Sequence, residues 1–168
     1  MKNEFQVKVQ ESLLISSKDY FSLMSKIIIL ESEEFETQKR LVLKFTGTNF
    51  LHLTGLSTKL SAAEFFCKCL NSSIVFDDYY IDPKKKSAIK NKLKNLIDLS
   101  TIFDNEILVQ ENFVKNTISC TIATSDNKRT LGFIDGHYCL YPKTLLDKNH
   151  LDINKKIIRV KPIIISEY

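Results

Sequence analysis

K-F-T-G-T-N-F-L-H-L-T-G-L, residues 44–56, begins with a turn-prone Thr46-Gly47-Thr48-Asn49. It runs on as a short apolar segment around a histidine and closes on a second glycine. Read as an extended run, it puts Leu51 and Leu53 on one face and Phe50, His52 and Thr54 on the other. The leucines then point to a core and His52 points away from it. An imidazole on the open face of a strand, beside a hydroxyl, is a candidate for proton transfer. A hydrogen-bonding structural histidine is the competing reading.

Working outward, Arg40 to Phe45 alternates Leu41, Leu43 and Phe45 against Val42 and Lys44, as a strand does. Upstream, Ser16-Ser17 is an N-cap signal for a helix over Lys18–Leu30, where Tyr20, Phe21, Met24, Ile27 and Ile28 recur at helical spacing. Met1 to Ser12 shows no clear pattern and reads as a short strand or a loose arm, and Glu31 to Glu36 as a charged connection. Downstream, Ser61 and Glu64 have capping-box spacing just before Phe65, Phe66, Cys69 and Leu70, so a second helix starts there and ends near Asn71. Pro83 suits the first position of a third helix, with Ile89, Leu93, Leu96 and Ile97 on one stripe and lysines over much of the rest.

The remainder reads as sheet. Ile118, Cys120 and Ile122 alternate with small polar residues, Ser125 to Lys128 is a turn, and Asp135-Gly136 between two apolar runs is a hairpin signal. A two-residue loop there pairs Ile134 with His137, Phe133 with Tyr138 and Leu131 with Leu140, leaving Gly132, Cys139 and Tyr141 on the other face. Pro142 then ends the strand, Lys143 to Lys148 forms a helical turn, and Ile157 to Ile165 is a last strand interrupted or edged at Pro162. Helices followed by strands give an α+β domain, with N-terminal helices packed on one face of a curved antiparallel β-sheet. The opposite face is where a cleft is expected. Residues 1–168 are read as one domain, with a helical N-terminal extension over 1–40 and the core over 41–168.

With 168 residues and 43% hydrophobic content, the chain can bury a continuous core. No secretory signal is visible, and the longest apolar run, Ile27 to Leu30, is too short to span a bilayer, so a soluble cytoplasmic protein is expected. Cys67, Cys69, Cys120 and Cys139 lack zinc spacing and read as free, buried thiols. Adjacent Asp77-Asp78 has no third ligand in view, so no metal is expected. Six lysines stand against two acids between Asp82 and Asp98, and Lys115 to Lys161 is also basic. A polyanion such as RNA suits that surface, and a solvated lysine-rich helix face explains the first cluster equally well. Phosphate loops, dinucleotide fingerprints, nucleophile elbows and H-E-x-x-H are all missing.

In the arrangement read above, His52, Thr54, Tyr141, Thr144 and Arg159 converge, joined by Lys161 and His137. A histidine, a hydroxyl or phenol and a guanidinium supply the parts for metal-free RNA cleavage. A base takes the 2′-hydroxyl proton, a cation steadies the phosphorane, and an acid protonates the leaving 5′-oxygen.

The segments N-F-L-H-L-T-G-L at 49–56, S-A-A-E-F-F at 61–66, G-F-I-D at 132–135, Y-P-K-T-L-L at 141–146 and R-V-K-P-I at 159–163 resemble the phage Barnase-EndoU-colicin-RelE-like nucleases, most closely their fourth family. The resemblance runs from Phe21 to Ile165. It implies a nuclease-like domain of phage or prophage origin, acting as a toxin or effector that cuts RNA without metal or other cofactor in the bacterial cytoplasm. By position it implies catalytic roles for His52, Thr54, Tyr141, Thr144 and Arg159. Lys161, His137, Lys143 and Lys59 are then the substrate contacts, with His137 or Tyr141 as acid. An antitoxin, immunity protein or host factor is the partner that such a protein implies. The alternative is an inactive member that binds RNA or a host protein through the lysines of the third helix.

Overall fold

Asn3 starts helix α1, Glu4–Met24, through a capping box in which its side chain accepts from the Gln6 N–H and the Gln6 side chain accepts from the Asn3 N–H. The computed structural model describes residues 3–167, so Met1 and Lys2, the first residues of the stretch read as a strand or loose arm, lie outside it, as does Tyr168. Ser16 and Ser17 are not an N-cap. They are buried inside α1, and their hydroxyls donate back to the Ser12 and Leu14 carbonyls at 2.6 and 3.1 Å. The helix expected over Lys18–Leu30 is therefore corrected at both ends. Lys26–Glu31 is strand β1, where three consecutive β-branched isoleucines favour extended backbone.

Strand β2, Arg40–Lys44, follows as expected. The next segment does not. Residues 47–54 form helix α2, Gly47–Thr54, in place of the strand read through His52. Phe50, Leu53 and Thr54 make a buried stripe at i, i+3 and i+4, and Gly55 closes the helix in the left-handed region at φ 76°. After the short strand β3, Ser57–Thr58, helix α3, Ala62–Leu70, starts at the expected Ser61/Glu64 capping box. Strand β4, Tyr79–Tyr80, pairs with β3. Asp82 caps a 3₁₀ turn with Pro83 in its first turn, and this leads into α4, Lys86–Leu96, which buries Ile89, Leu93 and Leu96.

Six more strands complete the chain: β5, Ile107–Lys115; β6, Ile118–Ser125; β7, Arg129–Asp135; β8, Leu140–Asp147; β9, Ile158–Val160; and β10, Ile163–Ser166. β5 falls in a stretch with no strand assigned from sequence. The main sheet runs β10-β1-β2-β8-β7-β6-β5-β9 and is antiparallel except where β2 meets β8. β9 and β10 are its two edges, yet Lys161 and Pro162 alone separate them in the chain. The sheet therefore curls, so that its two outer strands follow one another end to end through a corner at Lys161-Pro162 without pairing. The architecture is α+β, with four α-helices on a curled, mostly antiparallel sheet.

Strand directions sort the connections between two ends. Loops 32–39, 116–117 and 136–139 share one end, while α1 to α4 and the β6–β7 turn share the other. At the helical end Phe45 packs edge-on to Tyr20, Phe103 and Phe133 at 5.6, 6.0 and 6.0 Å between ring centres. The connection 148–157 crosses the sheet face away from the helices. Leu151 there joins Phe113, Cys120 and Ala123 in a second small core, and Gln110 donates to the Asp152 carbonyl at 2.9 Å.

The β7–β8 hairpin needs two corrections. Its loop is Gly136–Cys139, four residues, with the Gly136 N–H donating to the Cys139 carbonyl at 2.8 Å. Ile134 consequently faces Tyr141, and Leu131 faces Leu145. Tyr138, assigned to the core by the two-residue turn, is 86% exposed. Lys143 to Asp147 continues β8 rather than forming a helical turn. Pro142 sits at a bulge inside that strand, where its missing N–H is tolerated. All four cysteines are free, but Cys67 is exposed and Cys139 half-buried, so only Cys69 and Cys120 fit the buried reading.

Candidate functional site

The three loops at the end of the sheet remote from the helices enclose a cleft of about 710 Å³. One wall is the β1–β2 loop with Thr37, Gln38 and Val42; a second is β5–β6 with Asn112, Ser119, Cys120 and Thr121; the third is Ile134 to Leu140. Glu111 fixes the first wall to β5, accepting from the Glu36 N–H at 2.9 Å and the Thr37 hydroxyl at 3.2 Å. Thr121 ties the other two, its hydroxyl accepting from the Asp135 N–H at 3.2 Å. Asn112 has φ 53°, a left-handed conformation inside a strand, so the β5 wall is bent where it borders the cleft.

His137 lies on this cleft, exposed, with its ring edge-on to Tyr138 at 4.2 Å. The adjacent Gly136 is required by close approach rather than by its backbone angle. A Cβ at that position would stand 2.1 Å from Cε2 of Tyr141, so the loop rests directly on the phenol ring. Lys143 reaches across to β6 and donates at 2.9 Å to the carbonyl of Ser119, a residue that lines the cleft. Burial pushes the Cys120 thiol above its ordinary value, against the opposing influence of the Lys143 charge, so this cleft cysteine is a protonated wall residue. Thr144 is buried beside Gly132, whose would-be Cβ would meet the Thr144 methyl at 2.9 Å and Cys120 Sγ at 2.5 Å. The β7–β8 hairpin therefore carries all four of His137, Tyr141, Lys143 and Thr144, and of these His137 lines the cleft.

The other sequence candidates are elsewhere. His52 is exposed on α2, on the side opposite the buried Phe50, Leu53 and Thr54, within the helical layer. Thr54 is fully buried and its hydroxyl is used locally, donating to the Leu51 carbonyl at 2.6 Å and accepting from the Leu56 N–H at 3.1 Å. Lys59 is exposed beyond β3, also among the helices. Arg159 lies on the edge strand β9, between Ile158 and Val160, which face the main core. It is 73% exposed and pairs with Glu106 at 3.5 Å. Lys161 is exposed at the corner that follows. The shared groove expected for His52 and Arg159 is thus corrected: α2 is a helix at one end of the molecule, and Arg159 points away from the core at a sheet edge four strands from Tyr141.

Gln38, Asn112 and Thr121 line the cleft without having been singled out from sequence. Asn112 lies in the unassigned β5, and Gln38 sits at the end of a charged connection with no periodicity to read. Asp135 was visible within G-F-I-D. Asp78 of the acidic pair is occupied: the Val75 N–H, then Lys68 at 3.2 Å, hold its carboxyl below the usual range. Among the described residues, no group of three His, Cys, Asp or Glu side chains is spaced for a metal, and no helix is long and apolar enough to cross a membrane.

A family model described as phage-Barnase-EndoU-ColicinE5/D-RelE like nuclease4 matches residues 13–166, nearly the whole chain. The chain belongs to this family. Comparison with curated proteins and with solved structures gave no match. Membership covers both ends of the sheet, so the match itself does not choose between the cleft and α2. In this nuclease-like family member, the cleft is lined by the His137 imidazole, while the Tyr141 ring lies against the neighbouring Gly136 and the Lys143 ammonium on the Ser119 carbonyl of one wall.

Proposed function

We infer that the chain is a metal-independent endoribonuclease of phage or prophage origin, with a Barnase-EndoU-colicin-RelE-like use of its curled sheet, acting at the β7–β8 cleft. The observation that carries this reading is His137 on a solvent-open cleft, with the Tyr141 ring packed against the adjacent Gly136 and the Lys143 ammonium held on the carbonyl of the cleft residue Ser119, in a member of a nuclease-like family. His137 takes the proton from a 2′-hydroxyl, and that oxygen attacks the adjacent phosphorus. Lys143 steadies the charge of the phosphorane as the bond to the 5′-oxygen breaks. Tyr141 gives its proton to that oxygen, leaving a 2′,3′-cyclic phosphate and a free 5′-hydroxyl. General acid–base steps of this kind contribute about 10²–10⁴-fold each.

The test is cleavage of single-stranded RNA by purified protein in the presence of a chelator, with the ends identified. His137→Ala should lower the rate by about 10²-fold or more at unchanged fold. Equal cleavage by that variant would remove His137 and, with it, this site. As a toxin or effector in the bacterial cytoplasm, the wild type should arrest growth on expression and the variant should not, unless an antitoxin or immunity protein is co-expressed.

One observation favours a second reading, an inactive RNA-binding or host-factor-binding protein. Lys84, Lys85, Lys90 and Lys94 are exposed along α4 and its preceding turn, and none has an ion-pair partner among the described residues. That reading expects salt-sensitive RNA binding with no product.

A further inference from the structure

The free edge of β10 carries a feature the cleft does not use. Ile163, Ile164 and Ile165 are 44, 42 and 45% exposed on a strand that pairs with β1 along one side and, among the described residues, with nothing along the other. Natural edges are usually blunted by charge or proline within the run, whereas here Lys161, Pro162 and Glu167 stand outside three β-branched residues. We propose that this edge pairs antiparallel with the same edge of a second copy of the chain, about a two-fold axis through Ile164.

The segment is self-complementary about that residue. Centring on Ile164 sets Ile164 against its own copy, Ile163 against Ile165, and Lys161 against Glu167, twice over by symmetry. Three pairs of β-branched residues are thus closed at both ends by opposite charges, the combination that cross-strand pairing favours. Centring between Ile163 and Ile164 would put Pro162 against Ile165 and Lys161 against Ser166. Centring between Ile164 and Ile165 would put Pro162 against Glu167. Both registers lose the charge match. An unrelated strand would satisfy only the backbone, so the Lys161–Glu167 complement is what selects a second copy. Lys161 has no ion-pair partner among the described residues, and Glu167, which meets Lys44 at 3.2 Å, keeps 41% of its side chain exposed. Pro162 has no N–H to extend the ladder, and a two-fold pair uses up the edge, so the assembly stops at two.

Sedimentation equilibrium of the full chain from micromolar to millimolar concentration tests this. The wild type should show a monomer–dimer equilibrium. Lys161→Glu and Glu167→Lys, each of which replaces both attractions with repulsions, should each weaken it by about tenfold. Mixing the two variants in equal amounts should restore wild-type association, because each hetero pair regains both opposite-charge contacts. Ile164→Lys, with like charges on the axis, should be monomeric, and circular dichroism checks that every variant is folded. A wild type that is monomeric throughout the range, or a mixture that associates no better than its components, would overturn the proposal. Nuclease activity plays no part in either outcome.

Discussion

The two ends of the sheet treat polar groups in opposite ways. At the helical end they are consumed by structure. Tyr20 donates its hydroxyl to the Thr46 carbonyl at 2.6 Å, Asp19 accepts from the Ser100 N–H at 2.9 Å, and Lys92 donates to the Leu145 carbonyl at 2.8 Å. Arg129, 4% exposed, is held by Asp98, Asp126, Thr101 and the Asn95 carbonyl. At the loop end the side chains of Gln38, Asn112, His137 and Tyr141 have no hydrogen-bond partner among the described residues. Buried, hydrogen-bonded polar groups are concentrated where the helices meet the sheet, and the proposed chemistry lies where the loops do. Substitutions at the two ends should therefore separate folding from activity.

The largest expected effect tests the helical end. Phe45 is 1% exposed and touches rings from α1, from the turn before β5 and from β7. Phe45→Ala removes the common partner of those rings and should cost about 3–5 kcal/mol in urea unfolding. A cost under about 1 kcal/mol would mean that the junction repacks freely, and the comparison would lose one of its terms.

At the loop end, Gly136→Ala should do the reverse. The new methyl collides with Tyr141, so either the loop carrying His137 lifts or the phenol turns away. Displacements of this size cost about 10–100-fold in rate. The loop is solvent-exposed, so unfolding should change by less than about 1 kcal/mol. A variant that loses stability but not cleavage would place Tyr141 among the structural residues.

How far each end was legible follows from the kind of signal it carries. The α3 capping box and Pro83 before α4 are local backbone requirements, and both were readable. α2 was not, because in eight residues the alternation of Leu51 and Leu53 imitates a strand. The deciding mark was Gly55 at a helix C-terminus, together with Phe50 and Leu53 at helical spacing. Asp135-Gly136 located the hairpin but not its length, since Gly136 answers to the ring of Tyr141 and not to a tight turn. That single error moved Tyr138 from the surface to the core. That His137, Tyr141, Lys143 and Thr144 share one hairpin was legible, because they follow one another in the chain. The supposed convergence of His52 and Arg159 depended on distant elements, whose relation is set by the curl of the sheet.

The smallest expected effect is the one most able to upset the comparison. His52 projects from the outer side of α2, while Phe50, Leu53 and Thr54 hold the inner side. His52→Ala gains a few tenths of a kcal/mol in helix propensity and forfeits a similar interaction with the helix terminus, so stability should stay within about 0.5 kcal/mol. RNA cleavage should stay within about twofold of wild type, because an exposed ring on the helical layer does not border the loop-end cleft. A rate falling as far as that of His137→Ala, at unchanged stability, would bring α2 into the reaction. It would require RNA to span both ends of the sheet, and the division between a folding end and a chemical end would no longer hold.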